Sequence, residues 1–203
     1  MILKDLGLVD YQTTCDAMRT FTAERDQSTQ DELWLVEHIP VFTQGLNGKN
    51  EHLLNTGDIP VIRTDRGGQV TYHGPGQLIA YTLFDLKRMN IGVREMVSRI
   101  EKSVISMLDE LGIIANARAD APGVYVEQRK IASLGLRVKQ GACYHGLSIN
   151  ISMDLTPFSY INPCGYQGME VIDLKGLGHD MTMSQAQQQF ISAFKTQMSK
   201  VNK

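Results

Sequence analysis

Residues 66–84 read RGGQVTYHGPGQLIAYTLF, and the fold turns on what the four glycines of this run serve. A glycine-rich loop that cradles phosphate needs backbone N–H groups gathered at a helix start, in the spacing G-x-x-x-x-G-K-[ST] or G-x-G-x-x-G. Neither spacing occurs in the chain, and LIAYTLF after Gly76 is a short apolar run of strand character. The stretch therefore reads as a strand over 69–73, a turn at Gly74-Pro75-Gly76 and a strand over 78–84. Without a helix N-terminus aimed at the loop, a nucleotide phosphate site is not the reading of choice. Gly67, Gly68, Gly74 and Gly76 either build tight turns or, lacking Cβ, let a substrate or a neighbouring segment approach the backbone closely.

Working outward, DELWLVEH (31–38) and PVIRT (60–64) read as strands, and HIPVFTQGLNGK (38–49) reads as a loop. Residues 10–27 read as a helix with Cys15, Met18 and Phe21 facing inward. Val93, Val97, Ile100, Val104, Met107 or Leu108, and Leu111 recur at three- and four-residue steps, with Gly112 placed to close that helix. IIANA (113–117), GVYVE (123–127), KIASLGLRV (130–138) and ACYHGLSINI (142–151) read as strands, and a last helix starts near Ser184 with Ile191, Phe194 and Met198 on one face. Strands dominate the middle without a βαβαβ rhythm. The expected class is α+β, a mixed or antiparallel sheet with flanking helices, in one domain over 1–203.

Composition narrows the function classes. Twenty Lys+Arg against 22 Asp+Glu leave a net charge of −2, so no whole-molecule basic field argues for nucleic acid. No stretch approaches the ~18 uninterrupted apolar residues of a membrane span, and the N-terminus has neither signal-peptide nor transit-peptide composition. A cytoplasmic location is expected. Cys15, Cys143 and Cys164 are too few and too scattered for a disulfide framework or a CxxC zinc site. A metal site would have to combine His73 with His145, His38 or Cys164, without a local ligand pair such as HExxH, so no metal is expected.

Cys164 stands in INPCGYQGME, between Pro163 and Gly165, where no periodicity assigns it to a core. It is either a structural thiol or a nucleophile presented on a fixed loop. Alternation groups Cys143 with His145, Leu147, Ile149 and Ile151 on one face, which makes Cys143 a small packing residue, and Cys15 reads the same way. Lys130 falls on the apolar side of KIASLGLRV with Ala132, Leu134, Leu136 and Val138. It either snorkels to water or sits desolvated in a pocket. Beside Cys164 its ammonium would favour thiolate, and desolvation would lower its own pKa.

RGGQVTYHGPGQLIAY (66–81), RADAPGVYV (118–126), RKIASLGLRV (129–138), YHGLSINI (144–151) and INPCGY (161–166), with HIPVFTQG (38–45), together resemble the octanoyltransferases of lipoate biosynthesis. The resemblance covers nearly the whole chain apart from the C-terminal helix. It implies a fold shared with biotin and lipoate protein ligases, Cys164 as the acyl-accepting nucleophile and Lys130 as its partner. It implies an acyl pocket lined by Arg66, Gly67, Gly68, Gln69, Val70, Thr71, Tyr72 and His73, by Ser133, Leu134 and Gly135, and by Gly146, Leu147 and Ser148. Many relatives carry alanine where Ser148 stands. The implied donor is octanoyl-acyl carrier protein, the acceptors are lipoyl domains of 2-oxoacid dehydrogenases and the glycine-cleavage protein, and no cofactor is implied. An ATP-dependent ligase on the same scaffold and a noncatalytic lipoyl-domain-binding protein are the alternatives. A basic rim with Arg66 or Arg137 is expected to face the acidic partners.

Overall fold

The structure is a computed structural model that describes residues 1–118 and 120–200. In chain order its elements are β1 (Ile2–Val9), α1 (Tyr11–Glu24), β2 (Glu32–His38), β3 (Val41–Gln44), β4 (Val61–Arg63), β5 (Val70–His73), β6 (Gln77–Asp85), α2 (Val93–Asp109), β7 (Ala115–Ala117), β8 (Gly123–Val126), β9 (Arg129–Lys139), β10 (Ala142–Asn150) and α3 (Met183–Met198). Seven strands form a sheet in the order β1-β2-β6-β10-β9-β8-β7, parallel between β1 and β2 and antiparallel elsewhere. Three form a second sheet, β4-β3-β5, with one parallel and one antiparallel pairing. The expected α+β class with a mixed sheet is what the chain adopts.

The uninterrupted apolar character of β6 follows from its place, because both faces of the large sheet are covered. Leu78, Ala80 and Phe84 join Leu33 and Leu35 of β2 on the face packed by α2 and α3, where Ile100, Val104, Met107, Phe190 and Phe194 complete the main core. Ile79, Tyr81 and Leu83 join Trp34 and Val36 on the opposite face, against Tyr11, Cys15 and Met18 of α1. Phe42, Val70 and Tyr72 of the small sheet pack with Phe158 and Ile161 in a third cluster.

Three local readings need correction. The 38–49 loop contains β3, whose four buried residues are the middle strand of the small sheet; Pro40 and two glycines around so short a strand hide its periodicity. The N-terminal segment, left without an element by the sequence, is β1, an edge strand exposed on both faces and therefore without alternation. The turn Gly74-Pro75-Gly76 does join β5 to β6, but the two strands lie in different sheets. Gly76, at φ +82°, gives its carbonyl to the Ile151 and Ser152 N–H groups, and a Cβ there would overlap the Ser152 carbonyl. The motif is a corner that passes the chain between layers.

The helix signals held. α1 is capped by Asp10, whose carboxylate accepts from the Thr13 N–H at 2.8 Å, and α3 begins with a Thr182–Gln185 capping box. Gly112, at φ +75°, closes the turn after α2, where Ile113 N–H returns to the Leu108 carbonyl.

Candidate active site

A cavity of about 330 Å³ opens among the glycine-rich strand, β9, β10 and the start of α2. Of the residues anticipated as pocket lining, 66–71, His73, 133–135 and 146–148 all border it, as do Lys130 and Cys164. Tyr72 does not border it: its ring packs tilted against Phe42 and edge-on against Phe158 in the third cluster. Val93 and Val97 also face the cavity, so the first turns of the α2 stripe line it and the later turns fill the core.

Lys130 and Cys164 meet at this cavity. Lys130 Nζ donates to Cys164 Sγ at 3.0 Å and to the Pro122 carbonyl at 3.0 Å, and lies 5.3 Å from the centre of the Tyr125 ring. The lysine is only 2% exposed, so it does not snorkel. Its direction comes from a one-residue register shift between β8 and β9 at Val124/Tyr125, a bulge that re-aims a side chain. The backbone is held as well, since Lys130 N–H donates to the Glu170 carbonyl and Ile172 N–H to the Lys130 carbonyl. Gly123 makes room: a Cβ there would lie 2.5 Å from Lys130 Cε. The expected fall in the lysine's pKa does not result. Burial, the largest single influence, pulls it down, but the Cys164 sulfur and the Tyr125 hydroxyl together outweigh burial and the net direction is upward. Cys164 sits at φ 57°, a left-handed conformation unusual for cysteine, within the turn Pro163–Gly165.

Arg66 is the unexpected organiser. It is buried at 8% exposure, and its guanidinium donates to the Thr43 carbonyl and hydroxyl, the Gly67 carbonyl and the Gln69 carbonyl. A rim residue facing a partner it is not; Arg137 is exposed. Among the described residues no carboxylate pairs with Arg66. Glycines press around it, for a Cβ at Gly45, Gly68 or Gly135 would approach its side chain to 3.0, 3.4 or 3.3 Å. Gly68 of the motif, with Gly45 and Gly135 from outside it, therefore accommodates the protein's own arginine.

The buried histidines are held neutral. Asn150 Nδ2 donates to the Ile172 carbonyl, which leaves its Oδ1 to accept from Gln77 Nε2; Gln77 Oε1 then accepts from His73 Nδ1 at 2.7 Å. His73 Nε2 consequently accepts from the Thr43 hydroxyl at 3.2 Å. Both ring nitrogens are engaged, and burial lowers the His73 pKa to about 3. His38 donates from Nδ1 to the Val9 carbonyl and accepts the Tyr81 hydroxyl at Nε2, with burial lowering its pKa to about 4. His145 does not share the face of Cys143. At φ 60° it turns to the side of Tyr144, stacks on that ring at 4.9 Å, and donates from Nε2 to Asp65, which Tyr144 and Arg19 also contact. Cys143 packs in the core as expected. The nearest approach to a metal-ligand set, Cys15, Asp65 and His145, has its carboxylate engaged by these partners.

The domain family described as the lipoyl protein ligase A/B catalytic domain matches residues 10–195. An octanoyltransferase of Chromobacterium violaceum is 63% identical over 185 residues, covering 91% of this chain and 89% of that protein. An octanoyltransferase of Nitrosococcus oceani is 61% identical over 186 residues, covering 92% and 83%. The chain belongs to the octanoyltransferase family. It is an acyltransferase. A putative lipoate protein ligase of T. acidophilum with bound lipoic acid shares the fold of this transferase at 15% identity, with a TM-score of 0.80 over 97% of this chain and 85% of its own. Biotin protein ligase of Aquifex aeolicus shares it at 12% identity, TM-score 0.58, over 98% and 69%.

Several neighbours of this cavity carry no signal in the sequence. Ala121 and Pro122 lie in the RADAPGVYV stretch, of which Ala119 is outside the described residues, and Pro122 contributes the carbonyl that holds Lys130. Tyr11 of α1, Tyr81 of β6 and Tyr166 just after the Cys164 turn border the cavity, with no local signal to mark them. His52 comes within 3.3 Å of where a Cβ on Gly165 would stand. Gly146 was expected to serve substrate, yet a Cβ there would overlap the Ala80 carbonyl of the neighbouring strand. Gly146→Ala is accordingly expected to cost about 1–3 kcal/mol of stability by overpacking, read as a lowered urea midpoint.

Proposed function

We propose that the chain transfers an octanoyl group from octanoyl-acyl carrier protein to the ε-amine of a lysine on lipoyl domains, through a thioester on Cys164. The observation that carries this reading is the 3.0 Å contact of Lys130 Nζ with Cys164 Sγ at an apolar cavity. The attacking species is the Cys164 thiolate beside the Lys130 ammonium. One thioester is exchanged for another, so activation by ATP is unnecessary, and thioester-to-amide conversion is divided into two easier steps. The acyl chain lies along Val70, Leu134 and Leu147, where burial contributes about 0.8 kcal/mol per CH₂.

Acylation removes the negative charge from Sγ. What then acts on Lys130 is chiefly burial, the influence that lowers its pKa, opposed by Tyr125. A lysine that starts as the counter-ion of a thiolate thereby becomes the amine that accepts a proton from the attacking lysine. His73 is unsuited to that task because both nitrogens are engaged within the protein. The proposed setting is lipoate biosynthesis in the cytoplasm, with one catalytic domain, no cofactor, and lipoyl domains of 2-oxoacid dehydrogenases and the glycine-cleavage protein as acceptors. No helix among the described residues is long and apolar enough to cross a membrane.

Intact-mass measurement after incubation with octanoyl-acyl carrier protein, without ATP, tests the reading. An octanoyl adduct on the wild type, lost in Cys164→Ser, is expected. Absence of an adduct on the wild type, or a requirement for ATP, would turn the assignment towards the adenylate-forming ligases that share the fold or towards a noncatalytic binder.

A further inference from the structure

Addition of Cys164 Sγ to the thioester carbonyl forms a C–S bond while the carbonyl π pair moves onto oxygen. Collapse restores the C=O, breaks the bond to the carrier sulfur and expels a thiolate that takes a proton from the Lys130 ammonium. The oxygen bears a full negative charge in between, and such a charge is held by fixed N–H donors about 2.7–3.1 Å away. The amides of the nucleophile's own turn are partly committed: Gly165 N–H donates to the Asn162 carbonyl at 2.9 Å and Tyr166 N–H to the Pro163 carbonyl at 3.1 Å. Lys130 is occupied by Sγ and the Pro122 carbonyl.

Gln69 is the uncommitted donor at the same place. Its Oε1 accepts from the Lys49 N–H at 3.2 Å, which fixes the rotation of the carboxamide and turns Nε2 away from that partner. Nε2 has no hydrogen-bond partner among the described residues. The carboxamide lies over Gly165, the residue after the nucleophile, where an added Cβ would stand 3.1 Å from Gln69 Cγ and 3.3 Å from Cδ. Gln69 and Cys164 both border the cavity. The backbone beneath is clamped too, since the Gln69 carbonyl accepts from Arg66 Nη2 at 2.8 Å and from Gly45 N–H at 3.2 Å. A donor fixed at its oxygen, clamped at its main chain and free at its nitrogen is preorganised for a charge that appears only during reaction.

We propose that Gln69 is a catalytic residue whose side-chain N–H donates to the thioester oxygen at Cys164 during acyl transfer. The proposal rests on the reading of Cys164 as the acyl acceptor. Its test is the rate of octanoyl-enzyme formation in Gln69→Ala and Gln69→Glu, measured by rapid quench and intact mass beside the rate of Cys164 alkylation by iodoacetamide. Loss of one oxyanion donor is expected to slow acylation by about 10²–10³-fold with little change in KM, while alkylation rate and thermal midpoint stay at wild-type values. Gln69→Glu, equal in shape but an acceptor, is expected to be at least as slow as Gln69→Ala. Acylation of Gln69→Ala within about threefold of wild type overturns the proposal. So does a fall in acylation matched by an equal fall in alkylation, which would make Gln69 a residue that seats the turn. A wild-type enzyme that takes up no octanoyl group overturns the thioester reading itself, and this proposal with it.

Discussion

Lys130→Ala is expected to slow octanoyl-enzyme formation by about 10²–10⁴-fold, the range associated with removal of a positioned proton-transfer group. The lysine stem is buried, so Lys130→Met, which keeps most of that packing, separates loss of chemistry from loss of support. Lys130→Arg divides the two roles. A guanidinium keeps the positive charge beside Sγ but does not deprotonate in proteins. That variant should retain a larger share of acylation than Lys130→Ala while passing octanoyl to a lipoyl-domain lysine as slowly as Lys130→Ala does. Single-turnover transfer from preformed octanoyl-enzyme reads the second half alone. Wild-type transfer rates in Lys130→Arg would remove the lysine from the base role.

Stability is expected to fall steeply between pH 7 and pH 5. His38 and His73 are fully or nearly buried, and burial depresses their pKa values to about 4 and about 3. His145 is depressed in the same direction, by burial first, with Asp65 opposing it. Below the ordinary histidine value near 6.5 the unfolded chain binds these protons and the folded chain does not. Stability therefore rises with pH across this window and is lost as pH falls through it. At pH 5 the cost is about 2 kcal/mol for His38 and about 2 kcal/mol for His73, against a typical total of about 5–15 kcal/mol. Asp65 adds a second, lower window: His145 first, then Tyr144 and Arg19, hold its carboxyl below the usual range despite burial, so its contribution is lost only as pH falls below about 3.9. Urea midpoints at pH 7.5, 6 and 5 measure the slope. A flat profile between pH 7 and pH 5 would mean that these histidines are protonated in the native state.

Much of the architecture was legible because burial writes periodicity into sequence. The α2 stripe, the apolar run of β6 and the Ile191, Phe194 and Met198 face of α3 each name their element locally. The two residues that meet at 3.0 Å were also nameable, since a cysteine between proline and glycine and a lysine on an apolar strand face both break a pattern. Where alternation was pushed further it failed, for identifiable reasons. A bulge re-aims Lys130, and a left-handed backbone at residue 145 sends His145 to the side of Tyr144. The task of Arg66 was hidden because its partners, the Thr43 hydroxyl apart, are main-chain oxygens, which carry no residue identity. Gln69 and His52 acquire meaning only through Gly165, roughly a hundred positions downstream.

The left-handed conformation of Cys164 sets stability and chemistry against each other at a single position. Outside glycine and asparagine, residues held there carry a standing cost of about 1–3 kcal/mol that surrounding structure must impose. Gly165 next to it, at φ 81°, meets the same demand without that cost. On the proposed role of Cys164, mutational drift released from selection for acyl transfer would therefore run towards glycine at residue 164.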